Sequence, residues 1–254
     1  MLRSIRTNTE AEARRRLGND TWTVSLGELE IFLGLVIARG FLGARNLPLK
    51  SMWSKEWGVP LFSNSMPRDR FLEILRFLRF DKKEERSERL KNDKFALVSS
   101  VWNSFIDNCI KAYKPDVNLT VDEQLLPCKA RCRPKYIQYM PNKPDKFGLK
   151  FWLLVDLNDK YICNGFPYLG RDDDHPRERL SLSSYVVLRL LEPYYNLGHN
   201  VTCDNFFTSL SLAKELLTKS TTLVGTIRSN RREIPECSKS RSDLFESQCL
   251  WLKK

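Results

Sequence analysis

The chain has 254 residues, 42% of them hydrophobic, which marks a globular protein with one large core or two modest ones. Forty-two Lys and Arg against thirty-one Asp and Glu give a formal charge of +11 and a pI near 9.4, a balance that favours polyanionic partners, nucleic acid first, over a merely soluble basic surface. Seven scattered Cys with no Cys-x-x-Cys pair argue for reduced thiols in the cytosol or nucleus rather than a disulfide framework; Met1 to Arg6 has no apolar run behind it as a secretory signal needs, and the longest apolar stretch, Ile31 to Ile37, is too short to span a bilayer.

In chain order, residues 1–20 are polar and basic and are expected to fray. Ser25-x-x-Glu28 is a capping box, and Leu29, Phe32, Leu33, Val36 and Ile37 then follow along one helical face that Gly40 and Gly43 end. Pro48, Gly58 and Pro60 punctuate a loop carrying Trp53 and Trp57. Pro67 opens another helix, with Phe71, Leu75 and Leu78 expected inward and Arg68, Arg70, Arg76 and Arg79 among its polar positions. Residues 82–94 hold six basic and four acidic side chains and one Leu, the composition of a solvated linker or loop. Val98, Val101, Trp102, Phe105 and Cys109 predict one more helix, which Pro115 stops. A helical region is therefore expected over 1–115.

The second part, 116–254, changes character. Strands are predicted at 117–124, 147–156 and 160–167, the last two joined through Asp156-Leu157-Asn158-Asp159-Lys160, a hairpin composition. A helix at about 183–193, started by Ser183 or Ser181, comes next, then a short strand ending in Asp204, a helix from Phe206 to Leu217 and a strand at Thr222 to Ile227. Two carboxylates stand out. Asp122 leaves the first strand on its polar face with Asn118 and Thr120, and Asp204 sits where Val201–Cys203 hands over to a helix. On neighbouring strands they could share a divalent cation. Blander roles compete with that one: Asp204 as a helix cap and Asp122 as a turn residue.

Other acids and ligands carry less. Asp172-Asp173-Asp174-His175 is a solvated loop, because consecutive side chains diverge, and Asp156 and Asp159 are turn formers. His175 and His199 are too few for a zinc site, and Cys128 with Cys132 lies in a basic loop. Seven basic residues, Lys129, Arg131, Arg133, Lys135, Lys143, Lys146 and Lys150, crowd 122–150 with Tyr136, Tyr139 and Phe147 interleaved; Arg228, Arg231 and Arg232 follow the last strand. Both clusters flank the acid pair and are candidate contacts to a nucleic-acid backbone.

The β-β-β-α-β-α-β order matches a ribonuclease-H-like core, in which first and fourth strands lie side by side. Five segments resemble the piggyBac family of DNA transposases: Asp122-Glu123-Gln124-Leu125-Leu126, Pro141-Asn142-Lys143-Pro144-x-Lys146-Phe147-Gly148, Gly165-x-Pro167-Tyr168-Leu169-Gly170, Thr202 to Ser209, and Val224 to Pro235. The resemblance covers roughly residues 20–236. It implies an α/β fold with a ribonuclease-H-like mixed sheet preceded by an all-helical dimerisation and DNA-binding region, and a cut-and-paste transposase in which three Asp residues hold two Mg²⁺ (or Mn²⁺). It further implies double-stranded DNA as partner (transposon ends and target site), a homodimer, no membrane and a nuclear location. By position Asp122 matches the first catalytic and metal-binding Asp and Asp204 the second. Mg²⁺ suits carboxylates because it prefers hard oxygen ligands, and two ions clamp an in-line displacement at phosphorus. The family pattern puts its third Asp on a helix beyond an inserted β-rich region and often closes with a cysteine-rich zinc module. This sequence reaches Lys254 before either, and Asp243, with no helical framework, is not assigned. The expected domain is thus incomplete: a truncated or decaying copy, a partial gene model, or a domesticated derivative that binds without cutting.

Overall fold

The computed structural model describes residues 1–128, 136–141, 144–170 and 181–228. It divides into two compact units, Met1–Phe105 and Ile106–Lys254.

The first unit is helical: α1 (Leu2–Leu17), α2 (Leu26–Phe41), α3 (Leu49–Met52), α4 (Pro60–Ser65), α5 (Arg68–Phe77), α6 (Arg86–Asn92) and the start of α7 (Ser99–Ala112). The segment expected to fray is instead α1, closed by Gly18 in the left-handed conformation at φ 61°. Its apolar stripe is thin, but Ile5, Thr9 and Ala13 are buried. Glu12 ties it down, accepting from Arg15 at 2.9 Å, Arg16 at 2.7 Å and Arg79 at 2.9 Å, the last from beyond α5. The capping box of α2 forms as expected, with Ser25 Oγ accepting from the Glu28 amide and Glu28 Oε2 from the Ser25 amide.

The inward faces of two helices are rotated from the expected ones. On α2 the buried residues are Leu29, Phe32 and Leu35, while Val36 is 43% and Ile37 72% exposed. On α5 they are Phe71, Ile74 and Phe77, and Leu75 is 44% exposed. Both helices pack against α1 and each other, so the stripe follows the seam they share. Arg70 strengthens that seam through Glu28 Oε1 at 2.9 Å and the Thr23 carbonyl at 2.6 Å. The expected loop with Trp53 and Trp57 contains the short helices α3 and α4, and Trp53 Nε1 donates to the Met66 carbonyl at 2.8 Å. Within the charged 82–94 stretch lies α6, which buries no residue.

The second unit is built on a mixed sheet of six strands among the described residues: β1 (Asn118–Pro127), β2 (Gln138–Tyr139), β3 (Phe147–Asp156), β4 (Ile162–Tyr168), β5 (Asn200–Cys203) and β6 (Thr222–Gly225). The order is β2-β3-β1-β5-β6, with β4 also on β3. Strands β1, β3 and β4 form an antiparallel meander, whereas β5 runs parallel to both β1 and β6. Alternation places Leu119, Val121, Trp152, Leu154, Val201, Cys203 and Leu223 on one face, covered by α8 (Leu182–Leu191) and α9 (Leu210–Thr218). Full burial of such side chains contributes roughly 1.5–3 kcal/mol each, so this face holds the unit together. At the foot of the meander Asp156 is fully buried and accepts from the amides of Asp116 and Asn158, both at 2.7 Å, and Asp159 at 3.0 Å. Its expected role as turn former holds.

Helix α8 is capped by Ser181, whose Oγ accepts from the Ser184 amide. The helix expected from Phe206 begins later, at Leu210, capped by Ser209, and residues 205–207 form a turn. This mixed sheet, with its first strand beside the one that carries Asp204, is the ribonuclease-H-like arrangement.

Candidate metal and nucleic-acid site

Parallel pairing sets Thr120 beside Thr202 and Val121 beside Cys203, so the next residue on each strand is Asp122 and Asp204. Neighbouring strands lie about 4.8 Å apart, which brings two carboxylates within reach of one ion. Thr120 Oγ1 donates to the Thr202 carbonyl at 3.2 Å, a second tie between the strands just below the acids.

Both carboxylates are exposed, and both are held from one side. Asp122 Oδ1 accepts from the Glu123 amide at 2.7 Å. Asp204 Oδ1 accepts from the amides of Phe206 at 3.0 Å and Phe207 at 3.4 Å, so the capping role weighed for it is real, though it serves the turn and not α9. Anchoring one oxygen of each carboxylate does not compete with ligation by the other. The two charges converge on Cys203: burial first, then Asp204 and Asp122, push its thiol well above the ordinary range.

The turn after Asp204 is locked into the core. Phe207 is fully buried and packs edge-on against Trp152 at 5.5 Å, and Phe206 lies parallel to Trp152 at 5.9 Å. Lys150 Nζ sits 3.8 Å from the centre of the Trp152 ring and 3.9 Å from Glu123 Oε2. Of the ten basic residues expected at a nucleic-acid backbone, Lys150 is thus mostly covered by its own neighbours. Lys146 and Arg228 are exposed, and Arg228 Nε donates to Asn205 Oδ1 at 3.3 Å, beside the Asp204 turn. Lys129, Arg131, Arg133, Lys135, Lys143, Arg231 and Arg232 lie outside the described residues, as do Cys132, Asp172 to His175 and Asp243.

Hard oxygen donors on adjacent strands suit Mg²⁺ or Mn²⁺. Among the described residues no group of three or more His, Cys, Asp or Glu could hold a metal, and the two carboxylates are the candidate ligands there. Cys109, Cys163 and Cys203 are buried free thiols. His199 is buried with Nδ1 3.0 Å from the Asp116 carbonyl oxygen, a structural contact at the start of β1. No helix of the described residues is long and apolar enough to cross a membrane.

Thr208 and Gly225 lie in segments that carry the family resemblance, but sequence reasoning gave neither a role. Thr208 donates to the Asp204 carbonyl from N at 3.1 Å and from Oγ1 at 2.7 Å. Gly225 faces Cys203 across the β5–β6 pair. A glycine inside a strand does signal close approach of another backbone.

A family model described as Transposase IS4 matches residues 1–248. PiggyBac transposable element-derived protein 3 of Homo sapiens is 27% identical over 207 residues, 79% of this chain and 33% of its own length. The chimeric ERCC6-PGBD3 protein of Homo sapiens is also 27% identical over 207 residues, covering 79% of this chain and 19% of itself. A cryo-EM structure of a piggyBac transposase synaptic complex with hairpin DNA superposes with a TM-score of 0.85 and 36% identity, over 95% of this chain and 51% of that one. The chain spans about a third of the first relative and about half of the solved one.

Proposed function

This chain belongs to the transposase family so matched, in its piggyBac branch, and from that premise we propose that it is a piggyBac transposase-derived protein that binds double-stranded DNA and holds a divalent cation against it. The observation that carries the proposal is the parallel register that sets Asp122 and Asp204 one step beyond Val121 and Cys203. Asp122 and Asp204 would each give one carboxylate oxygen to the ion. Bound there, Mg²⁺ supplies a Lewis acid for phosphoryl transfer. Lys146 and Arg228, with the basic residues of 129–143 and 231–232, neutralise the DNA backbone, and the charge of +11 draws it in. The working location is the nucleus, and a homodimer on transposon ends and target DNA is the expected assembly.

Strand cleavage and transfer is the activity by descent. The alternative is a domesticated DNA-binding or protein-interaction protein without catalysis, the reading that holds if no third carboxylate joins the pair. Two ions close together repel and need a further acid between or beside them.

Fluorescence anisotropy on double-stranded DNA across a salt series tests the binding. Affinity should fall by about 0.9 log unit per log salt for each phosphate contact, and neutralising Arg131, Arg133, Lys143 and Lys146 together should flatten that slope. An unchanged slope would rule the patch out. Nicking of transposon-end DNA separates the two readings: Mg²⁺-dependent cutting lost in both Asp122→Asn and Asp204→Asn establishes catalysis, whereas binding without cutting establishes the domesticated reading for this chain.

A further inference from the structure

The backbone of Asp204 is also held at one crowded point. The Asp204 carbonyl accepts from both N and Oγ1 of Thr208, at 3.1 and 2.7 Å. Thr208 is itself buried, with Oγ1 3.4 Å from the Cys203 carbonyl. Pressed against that hydroxyl is Gly225 of β6, paired in register with Cys203. A Cβ on Gly225 would fall 2.3 Å from Thr208 Oγ1 and 2.4 Å from the Cys203 carbonyl oxygen, and both are closer than the 3.0 Å that real Cβ atoms keep. The glycine is there for space, because the strand needs no left-handed conformation at this residue. Strand β5, the segment just after the 205–207 turn and β6 thus interlock directly behind the second carboxylate.

We propose that Gly225 and Thr208 are positioning residues for the cation site, holding Asp204 at the height of Asp122. The proposal rests on the acid pair being a metal site. To restore 3.0 Å, a methyl group at 225 must displace the Cys203 carbonyl or itself by about 0.6 Å, three times the roughly 0.2 Å that metal–ligand distances tolerate. Removing the Thr208 hydroxyl frees the turn more gently, since the Thr208 amide still holds the Asp204 carbonyl. Partners of this kind, one shell behind the ligands, typically cost 10- to 100-fold in metal affinity when lost.

Mn²⁺ titration of the full chain, followed by water-proton relaxation, gives the test. Gly225→Ala should raise the Mn²⁺ dissociation constant about tenfold and Thr208→Val severalfold, with circular dichroism and DNA affinity at fixed salt unchanged. If Gly225→Ala does not fold, Thr208→Val carries the test, because valine keeps the shape and the amide. Mn²⁺ binding that Asp204→Asn abolishes but that both variants retain at wild-type strength overturns the positioning role alone. A wild-type chain with no Mn²⁺ signal sensitive to Asp122→Asn or Asp204→Asn overturns the acid-pair reading and this proposal with it.

Discussion

Glu12→Gln in the helical unit is the perturbation whose size can be worked out most directly. Hydrogen bonding from Arg15, with Arg16 and Arg79 adding to it against the opposing effect of burial, holds the Glu12 carboxyl down at about 2 from an ordinary 4.5. At about 1.36 kcal/mol per pH unit that difference is worth about 3.4 kcal/mol. The three arginines are 43%, 43% and 28% exposed, so solvent screening reduces the figure to roughly 2 kcal/mol. Because the folded-state value is depressed, the contribution is complete above the unfolded value near 4.5 and is lost as pH falls towards 2. Calorimetry at pH 7 should show Glu12→Gln melting about 4–8 °C below wild type. At pH 3 less than half of the gap should remain. Equal melting at pH 7, or a gap as wide at pH 3 as at pH 7, would refute the ion ladder as the anchor of α1.

Asp156→Ala strips three backbone amides of their acceptor in a dry site and should cost about 2–4 kcal/mol in urea unfolding; burial opposes ionisation there, yet those amides win and hold its carboxyl below the usual range, so wild type should also weaken as the medium is acidified. Leu35→Ala should cost about 2–5 kcal/mol, whereas Ile37→Ala, on a side chain 72% exposed, should fall within about 0.5; similar losses at the two positions would refute the observed rotation of α2. Burial drives the thiols of Cys163, to about 11, and of Cys203 upward; a disulfide reagent at pH 8 should reach neither before unfolding, and fast labelling of Cys203 in the native chain would mean that α9 does not seal the sheet.

What the sequence revealed of the fold depended on whether the signal was local. The bounds expected for β3 are those found, and Asp122 and Asp204 stand on adjacent strands as the ribonuclease-H-like order requires. That adjacency came from the order of the elements, since alternation can put an acid on a polar face but cannot choose a neighbour 82 residues away. α1 escaped notice because its anchor is a charged ladder on Glu12 and not an apolar stripe. The start of α9 was placed early because Phe206 stands at helical spacing from Leu210, whereas its ring is claimed by Trp152. β2, at two residues, has too little length for any period to show. In the site itself, the clamp by Thr208 and Gly225 was hidden because space is a property of two strands and a turn at once.

The pairing of β1 with β5 also sets a schedule. Strands β3 and β4 close through a short hairpin and β1 reaches β3 across residues 128–146, but Thr120 meets Thr202 only across 82 residues, and such long closures come late because their entropy is lost before any contact repays it. A nascent chain that has reached the meander therefore carries Asp122 alone. The second carboxylate arrives with the last parallel strands, so a chain still emerging from the ribosome, or stalled halfway to its fold, has no paired acids with which to hold an ion against the nucleic acid around it.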